Sequence, residues 1–501
     1  MAECPLAPTP AVRRTQWLVA ALIIVELAVG ASIIAGSVIS DGTAGIWPFG
    51  IALIVGYPVV SAHVLGLCAF VTSIIRCILR PRRAGKDLLC RLLEAQVVRL
   101  RHRHKFKVVA VVGSIGKTST KMAIAHLLMQ SKNVVYQEGN YNDRLTVPLV
   151  VFGRALPGLT NVPAWLRIII SNELKIRRQF NCDVAVLELG TDGPGQIKDF
   201  AYLQPDIAVV TALTPEHMEF FKTLDAVAAE ELTVTDFSKK VLVNADDSPE
   251  KYLKSKKITT YGTGRRADYR VSNFKPDSLN GVQFKLKLGK KAESFESPMF
   301  GKAGAKISAA AVATAYSLGM KAPAIVAALK ELPPVSGRMQ LLPGKQGSTL
   351  IDDTYNASPA PVMAGLDVLA SADTTQRIAI LGSMNELGDY AEEAHEIVGK
   401  HCKPENVDLV VTIGRDAKAW LAPEAERNGC KVETFMSPYE AGEYVLKQLK
   451  DGAVALGEGS QNGVFAEEAI KQLLENPQDA KRLVRQSPYW LKIKAKQFGQ
   501  S

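Results

Sequence analysis

The sequence predicts an α/β protein in which two α/β domains follow a pair of transmembrane helices. From Lys105 onward, short apolar runs alternate with helical patterns, which is typical of a parallel sheet with crossover helices. The segment LPPVSGR (332–338), with two prolines and a glycine after a helical stretch, predicts a boundary between the domains. Ahead of them, the largely apolar stretches 16–40 and 47–75 each exceed the roughly 20 residues that a membrane-spanning helix needs.

The two apolar stretches are interpreted as a hairpin. Arg13 and Arg14 precede the first span, the connecting loop carries only Asp41, and a basic run follows the second span. The positive-inside rule therefore places both ends of the hairpin in the cytoplasm. This predicts localisation in the inner (cytoplasmic) membrane, with both α/β domains in the cytoplasm. A cleaved signal peptide is the alternative for the first stretch.

The net charge of +10 is concentrated in one segment. Between Arg76 and Lys107 there are eleven Lys or Arg residues against two acidic ones, a surplus of nine. Such a run is typical of a solvated face, of a nucleic-acid site or of contact with anionic lipid. Because it directly follows the apolar stretches, we expect membrane lipid as the partner and no nucleic acid.

Two ionisable residues fall inside the predicted spans. Glu26 lies twelve residues after Arg14, and His63 lies thirteen residues before Arg76, so both are expected at a similar depth. Because an unpaired ionisable group is costly there, one hypothesis is that Glu26 and His63 hydrogen-bond across the hairpin. The alternative is a neutral Glu26 that faces another protein.

The remaining composition is that of a globular protein, with 47% hydrophobic and 22% charged residues. Seven cysteines are scattered without any C-x-x-C pair, which argues against a zinc ribbon and a disulfide framework. The predicted organisation, in chain order, is the hairpin (1–80), a basic helix (81–104), the first α/β domain (105–334), the second (335–475) and a basic tail (476–501). For the tail we favour packing on the second domain over attachment to a membrane surface.

Residues 110–120, AVVGSIGKTST, are predicted to form a phosphate-binding loop after the strand KVVAVVG. The common pattern G-x-x-x-x-G-K-[ST] would place a glycine at position 111, where this chain has Val111, so the loop starts at Gly113 instead. A lysine at this place offers charge to phosphate oxygens, and a threonine hydroxyl suits Mg²⁺. The loop alone predicts nucleotide binding with Mg²⁺, and the predicted cofactor-binding residues here are Gly113, Ser114, Gly116, Lys117, Thr118 and Ser119.

Four groups of motifs resemble those of the Mur ligases. They are GSIGKTS (113–119), GNYNDRLTVP (139–148), LELG (187–190) with TPEH (214–217), and IDDTYNASP (351–359) with LGSMNELGDYAEEAHEIVG (381–399). Together they cover about 105–475. The last group resembles the branch of the family that adds D-alanyl-D-alanine to a muramoyl tripeptide. The resemblance implies a phosphate-loop central domain and a Rossmann-like C-terminal ligase domain.

The resemblance also implies a reaction. Mur ligases phosphorylate a carboxylate with ATP, and an amine then attacks the acyl phosphate. We therefore expect an ATP-dependent amide ligase of peptidoglycan synthesis whose partners are a muramoyl peptide precursor and D-Ala-D-Ala. One alternative is a Mur-type ligase for a lipid-linked precursor or another carboxylate. Two alternatives from other classes are an inactive membrane scaffold and a phosphate-loop kinase or transport ATPase.

The site residues that the resemblance implies are these. Lys117 would hold the β- and γ-phosphates, Thr118 and Glu188 the first Mg²⁺, and His217 a second metal ion. Glu188 and His217 each fall just past a predicted parallel strand, where α/β sheets place ligands. Other implied residues are Asn244 for adenine, Arg338 for a phosphate, Asp353 for the ribose, and Asn140, Asn142, Tyr355, Asn356 and Ser460 for substrate.

The chain departs from the family pattern in several places. The family has a carbamylated lysine fourteen residues after the metal histidine, where this chain has Glu231. One hypothesis is that Glu231, with Glu230, supplies the charge of the carbamate; the alternative is an exposed helix glutamate. A His-Asn pair is replaced within GKAGAKISAA (301–310), and a Lys-Gly-Ser motif reads Glu-Gly-Ser at 458–460. The resemblance does not include the family's N-terminal domain that binds the uridine diphosphate sugar.

Overall fold

The computed structural model describes residues 81–499, apart from 140, 254–257, 266 and 290. Within this range the α-helices are α1 (Pro81–His104), α2 (Lys117–Met129), α3 (Thr146–Val151), α4 (Val162–Arg177), α5 (Met218–Phe221), α6 (Leu224–Leu232), α7 (Val234–Phe237), α8 (Gly301–Ser317), α9 (Ala322–Lys330), α10 (Pro359–Ala370), α11 (Ala391–His401), α12 (Ala422–Arg427), α13 (Pro438–Gln448), α14 (Glu467–Leu473) and α15 (Pro488–Phe498).

Fifteen strands form two sheets within the described residues. The strands are β1 (Lys107–Val112), β2 (Val134–Tyr136), β3 (Val184–Glu188), β4 (Ile207–Val210), β5 (Lys240–Asn244), β6 (Ile258–Gly262), β7 (Tyr269–Pro276), β8 (Val282–Leu288), β9 (Lys291–Ser297), β10 (Gln340–Pro343), β11 (Thr349–Asp353), β12 (Arg377–Gly382), β13 (Leu409–Ile413), β14 (Val432–Phe435) and β15 (Val454–Glu458). This is the α/β fold that the alternating pattern predicted.

The predicted membrane localisation needs correction. No helix within residues 81–499, as far as they are described, is both long enough and apolar enough to cross a bilayer. The predicted spans 16–40 and 47–75, together with the hypothetical Glu26–His63 bond, lie outside the described residues. The structure therefore gives no support to a two-span anchor or to membrane lipid as a partner.

Helix α1 occupies the segment for which a basic helix was predicted, and its basic end binds the first domain. Arg101 Nη2 lies 2.8 Å from Oδ2 of the buried Asp206, and Lys107 Nζ lies 3.3 Å from the other carboxylate oxygen. Lys239 Nζ approaches the same carboxylate at 2.8 Å. Part of the basic run is therefore neutralised within the protein.

The first domain is built on a nine-stranded sheet with the order β2-β3-β1-β4-β5-β6-β7-β8-β9. The pairs from β2 to β7 are parallel, and β7, β8 and β9 pair antiparallel. Alternate residues of β1 enter different cores, because side chains of a strand point to opposite faces. Val109 and Val111 pack with helices α2, α8 and α9, whereas Val108 and Val112 pack on the other face. The central strands are thus buried on both sides.

The second domain has a six-stranded sheet with the order β10-β11-β15-β12-β13-β14. All pairs are parallel except β10 with β11 at one edge. Buried residues on the two faces form separate cores, as shown by Leu381 on one side and Ile380 on the other. The carboxyl ends of β11, β12 and β15 therefore meet at one edge of the sheet.

The basic tail packs on the second domain. The ring centroids of Trp490 and Phe498 lie 6.2 and 6.3 Å from that of the buried Phe465. Lys494 on the same helix, α15, is 1% exposed and lies between the carboxylates of Glu467 and Glu468. The tail is thus fixed by both apolar and charged contacts.

Candidate active site

The phosphate loop joins β1 to α2, and its backbone requires glycine at two positions. Gly113 has φ 118° and Gly116 has φ 79°, values that side-chain-bearing residues rarely adopt. A Cβ on Gly113 would lie 2.5 Å from Thr211 Oγ1 and 2.8 Å from Thr211 N on the neighbouring strand end. The hydroxyl of Ser114 donates to Thr214 O at 2.9 Å. The loop is thus fixed at the amino end of α2, where unpaired backbone N–H groups favour anions.

Lys117 opens α2 and points back across the loop. Its Nζ donates to Ser114 O at 3.2 Å and lies 3.3 Å from Glu216 Oε2. Burial opposes its charge, but the carboxylates of Glu216, Glu231 and Glu188 outweigh this effect and raise the pKa of Lys117. The side chain therefore stays cationic beside the loop that would hold phosphate.

Glu188 is the last residue of β3 and is 2% exposed. Its Oε2 accepts a hydrogen bond from Thr118 Oγ1 at 3.0 Å and lies 3.1 Å from Lys121 Nζ, while Oε1 accepts from Asn142 Nδ2 at 3.1 Å. Burial favours protonation of this carboxyl, but Lys121 and Lys117 keep its pKa below the usual value. Glu188 is therefore a buried carboxylate that keeps its charge.

Two side chains that position Glu188 were not predicted. The side chain of Gln137 makes two hydrogen bonds to the backbone of Glu188. Its Oε1 accepts from Glu188 N at 2.8 Å, and its Nε2 donates to Glu188 O at 2.9 Å. Lys121, 0% exposed, pairs with its carboxylate and donates to Gly139 O at 3.2 Å. Lys121 lies on α2 one turn after Thr118, which is the one signal in the sequence that could have identified it.

His217 joins the two domains. Its Nδ1 lies 2.9 Å from Glu386 Oε2 in the second domain, and Nε2 lies 3.6 Å from Glu216 Oε1 and 4.0 Å from Asp192 Oδ1. Burial lowers the pKa of His217, but Glu386 and Glu216 outweigh burial and raise it. Within the described part of the chain, no group of three His, Cys, Asp or Glu side chains has the geometry of a metal site. The predicted metal ligand is thus surrounded by carboxylates.

Glu231 is buried at the phosphate loop and is not an exposed helix residue. It is 2% exposed, and its Oε2 accepts a hydrogen bond from Gly113 N at 2.7 Å. Burial raises its pKa to about 7, against the opposing effect of Lys117. Glu230 faces elsewhere, because it accepts hydrogen bonds from Gly195 N and Ile197 N, both at 2.6 Å. The structure therefore separates the two glutamates and places only Glu231 at the loop.

The other predicted residues of the first domain have different surroundings. Asn142 lies at Glu188, as described above, whereas Asn140 lies outside the described residues. Asn244 is 3% exposed and donates to Thr211 O at 2.8 Å and to Asp247 Oδ2 at 2.7 Å. Its amide therefore organises the turn after β5, and its contact with adenine stays a prediction.

In the second domain, Arg338 lies over the ring of Tyr355, with 4.3 Å between Cζ and the ring centroid. Among the described residues, no hydrogen-bond partner reaches its buried Nε. Asp353 ends β11 and accepts a hydrogen bond from Met339 N at 3.2 Å. Burial raises the pKa of Asp353 to about 6, although the charge of Arg338 opposes this shift. An arginine and an acid thus lie together at the carboxyl edge of the sheet.

The replaced lysine position, Glu458, lies directly beside Asp353. The two residues are register partners on β15 and β11, and Glu458 is 0% exposed. Burial and the carboxyl of Asp353 raise the pKa of Glu458 well above its usual value. Ser460 accepts a hydrogen bond from Asn385 N at 2.9 Å, and Asn356 is half-buried in the loop after β11. The predicted residues of this domain therefore share one edge.

Two family models match the chain, namely the Mur ligase middle domain over residues 111–315 and the Mur ligase glutamate ligase domain over residues 337–461. The chain therefore carries a Mur ligase middle domain and a Mur ligase C-terminal domain.

Among related proteins, the UDP-N-acetylmuramoyl-tripeptide–D-alanyl-D-alanine ligase of Bacillus subtilis is 29% identical over 378 residues, which cover 74% of this chain and 76% of that protein. The ligase of the same name from Escherichia coli is 28% identical over 322 residues, which cover 62% of this chain and 66% of that protein.

Solved structures share the fold. MurF from Acinetobacter baumannii has a TM-score of 0.64 at 22% identity, covering 79% of this chain and 81% of that chain. MurF ligase from Thermotoga maritima, solved in complex with ADP, has a TM-score of 0.61 at 21% identity, covering 79% of this chain and 84% of that chain.

Proposed function

We propose that this chain is an ATP-dependent ligase of peptidoglycan precursor synthesis that joins D-alanyl-D-alanine to a UDP-N-acetylmuramoyl tripeptide. The relatives from B. subtilis and E. coli are named for this pair of substrates. The observation that carries the proposal is the phosphate loop whose Thr118 donates to the buried, charged Glu188. Both lie at the carboxyl ends of parallel strands, where α/β sheets bind ligands.

The donor atoms near the loop fit Mg²⁺. Thr118 Oγ1 and Glu188 Oε2 lie 3.0 Å apart, and hydroxyl and carboxylate oxygens are ligands that Mg²⁺ prefers. Mg²⁺ bound there would offset the negative charge of the transferred phosphate. His217 is proposed as the ligand of a second ion on the family resemblance alone, because among the described residues it forms no metal site with its neighbours Glu216 and Glu386.

The chain's own residues hold the nucleotide in this proposal. The backbone N–H groups at the start of α2 and the ammonium of Lys117 bind the phosphates, and Asn244 contacts adenine. Arg338 and Asp353 of the second domain contact a phosphate and the ribose. Because these residues come from two domains, the site is completed only when the domains are together. The His217–Glu386 contact already joins them in this structure.

The reaction that we propose has two steps. The terminal carboxylate of the muramoyl tripeptide attacks the γ-phosphate of ATP, which gives an acyl phosphate and ADP. The amine of D-alanyl-D-alanine then attacks the acyl carbon and displaces inorganic phosphate. Lys117 offsets the charge that develops on the phosphate oxygens. The residues proposed to position the two substrates are Asn140, Asn142, Tyr355, Asn356 and Ser460.

Glu231 is proposed to take the place of the family's carbamylated lysine. A carboxylate and a carbamate are both anions with two oxygen atoms, and Glu231 lies against the phosphate loop without modification. The proposal needs Glu231 alone, since the carboxylate of Glu230 accepts hydrogen bonds from the backbone N–H groups of Gly195 and Ile197. A ligase built in this way does not need CO₂.

The test is phosphate release from ATP by the full chain with Mg²⁺ and D-alanyl-D-alanine. The acceptor is the nucleotide-linked muramoyl tripeptide in one arm and its lipid-linked counterpart in the other. We expect release that requires both substrates, with a product heavier than the acceptor by one dehydrated dipeptide. Lys117→Met should lower kcat by about 10²–10³-fold, the usual cost of losing one charge-stabilising group.

Other outcomes assign a different function. Phosphate release with only the lipid-linked acceptor would show that the protein is a ligase whose acceptor is lipid-linked and not nucleotide-linked. Tight ADP binding without phosphate release from either acceptor would favour the inactive scaffold. Release from ATP without any acceptor, unaffected by D-alanyl-D-alanine, would point to a kinase or ATPase and overturn the proposal.

A further inference from the structure

Arg485, in the basic tail, is buried beneath the loop that follows β11. It is 6% exposed, and its guanidinium makes four hydrogen bonds. Nε and Nη2 donate to the two carboxylate oxygens of Glu467 at 2.8 and 2.7 Å. Nη1 donates to Tyr355 O at 2.8 Å, and Nη2 also donates to Thr354 O. One side chain therefore connects α14 with the backbone of this loop.

The partner carboxylate is itself fixed from α15. Lys494 Nζ lies 2.8 Å from Glu467 Oε1 and 2.6 Å from Glu468 Oε1, and it donates to Arg485 O at 2.9 Å. Arg485, Lys494 and the two glutamates thus form an almost fully buried cluster, and Lys471 Nζ reaches it from the surface at 3.3 Å from Glu468 Oε2. Buried ion pairs contribute little net stability compared with apolar packing, so their geometry is the more informative property.

The backbone of Arg485 is strained. Its φ is +53°, in the left-handed region that residues other than glycine rarely occupy. Such conformations persist only where the surroundings hold them, and they concentrate at functional sites. Here the contacts that hold the residue are its own four hydrogen bonds and the bond from Lys494.

The loop that Arg485 holds carries groups of the proposed nucleotide site. Tyr355 supports the guanidinium of Arg338 on its ring. Tyr355 N donates to Gly337 O at 3.2 Å, and Gly337 N donates to Asp352 Oδ2 at 3.2 Å. A Cβ on Gly337 would lie 2.7 Å from Val484 Cγ1, so the turn before Arg338 is packed against the tail segment. A shift of the loop would therefore move both Tyr355 and Arg338.

We propose that Arg485 is a positioning residue for the ligase reaction. It fixes the carbonyl groups of Thr354 and Tyr355, and through Tyr355 it sets where the guanidinium of Arg338 meets the nucleotide. The proposal rests on the proposed function for its effect on turnover. The effect on the loop itself does not depend on that function.

The test compares the full-length Arg485→Lys variant with the full-length parent protein. Lysine keeps the charge opposite Glu467 but cannot reach both carbonyls and both carboxylate oxygens with one ammonium group. We expect the KM for ATP to rise and kcat/KM to fall by about tenfold to a hundredfold, as is typical when a reacting group is misplaced by about 1 Å. The melting temperature should fall by a few degrees, because some buried oxygen atoms lose their hydrogen bond. A merely structural role would lower the active fraction and leave KM unchanged.

Arg482→Lys is the matched control, since Arg482 lies in the same segment, is 37% exposed and pairs with Asp479 at 3.5 Å. A second variant, Glu467→Gln, keeps the acceptor oxygen for Arg485 and should shift KM for ATP in the same direction by a smaller factor. Unchanged KM for ATP in Arg485→Lys, or an equal change in Arg482→Lys, would overturn the proposal.

Hydrogen exchange separates this proposal from the ligase assignment. In Arg485→Lys the amides at 354–358 should exchange faster, whereas those at 111–119 in the phosphate loop should keep their rates. This result is expected even from a protein that releases no phosphate. Unchanged exchange at 354–358 would show that Arg485 does not position the loop, whatever the enzyme catalyses.

Discussion

Glu188 and Glu458 each end a parallel strand, one in each domain, and they are equally enclosed, at 2% and 0% exposed. Glu188 has an ammonium, a hydroxyl and an amide as partners, and its pKa is lowered. Glu458 has the carboxyl of Asp353 as its neighbour, so burial and this carboxyl both raise its pKa. The comparison teaches that burial alone does not decide the charge of an acid; the partners at the strand end do.

The largest expected effect comes from removing the cation in the first domain. Lys121→Met would leave Glu188 buried without its ammonium partner, so the free energy of unfolding should fall by about 3–5 kcal/mol in urea titrations at pH 7. Exposed Lys198→Met is the control and should change it little. The double variant Lys121→Met, Glu188→Gln should recover part of the loss. Full stability of the single variant would contradict the role of Lys121.

In the second domain, the raised pKa of Asp353 predicts that stability falls as the pH rises. Because the pKa of Asp353 is raised from 3.8 to about 6, folding stabilises its protonated form. This stabilisation is complete below about pH 4 and is lost as the pH rises through about 6, a change of about 3 kcal/mol at most. Asp353→Asn should therefore flatten the fall in unfolding free energy between pH 4 and 7. Exposed Asp373→Asn should keep the slope of the parent, and an unchanged slope in Asp353→Asn would contradict the raised pKa.

The smallest expected effect concerns Glu231, whose pKa burial raises to about 7. Glu231→Gln keeps an acceptor for Gly113 N and removes the charge, so kcat should fall by about tenfold, which corresponds to about 1.4 kcal/mol. Added bicarbonate should leave the turnover of the parent protein unchanged after CO₂ depletion.

Glu231→Lys sharpens this experiment, because it restores the family's lysine. Its turnover should depend on bicarbonate, in contrast to the parent protein. Stimulation of the parent by bicarbonate would show that Glu231 does not replace the carbamate.

Much of the fold could be predicted from local patterns. The apolar runs around Val109 and Ile380 are central parallel strands, because continuous apolar runs between helical segments indicate strands buried on both faces. The phosphate loop was predictable, since its glycines, lysine and threonine follow one another in a short motif and both glycines adopt positive φ values. The basic run was misinterpreted, because Arg101 finds its partner at Asp206, about a hundred residues away in the chain.

The contacts that organise the site were less predictable. The His217–Glu386 contact crosses two domains, and Arg485 reaches Thr354 and Tyr355 from a tail with no motif. Spacing in the sequence predicts which residues share a helix face or a strand end. It does not predict pairs that meet only after two sheets have folded, and these pairs decide the charge of the buried groups.

The position of Arg485 also predicts how the protein would respond to a cut in its chain. The stretch 475–478, where the tail begins after α14, is exposed, so a protease could cut there without breaking a strand of either sheet. Before the cut, Arg485 is tethered beside Thr354 at a high effective concentration. After it, these hydrogen bonds, the ion pairs of Lys494 and the packing of Trp490 and Phe498 on Phe465 would have to hold a separate peptide. Completion of the site would then depend on protein concentration, so dilution would inactivate the nicked protein but not the intact one.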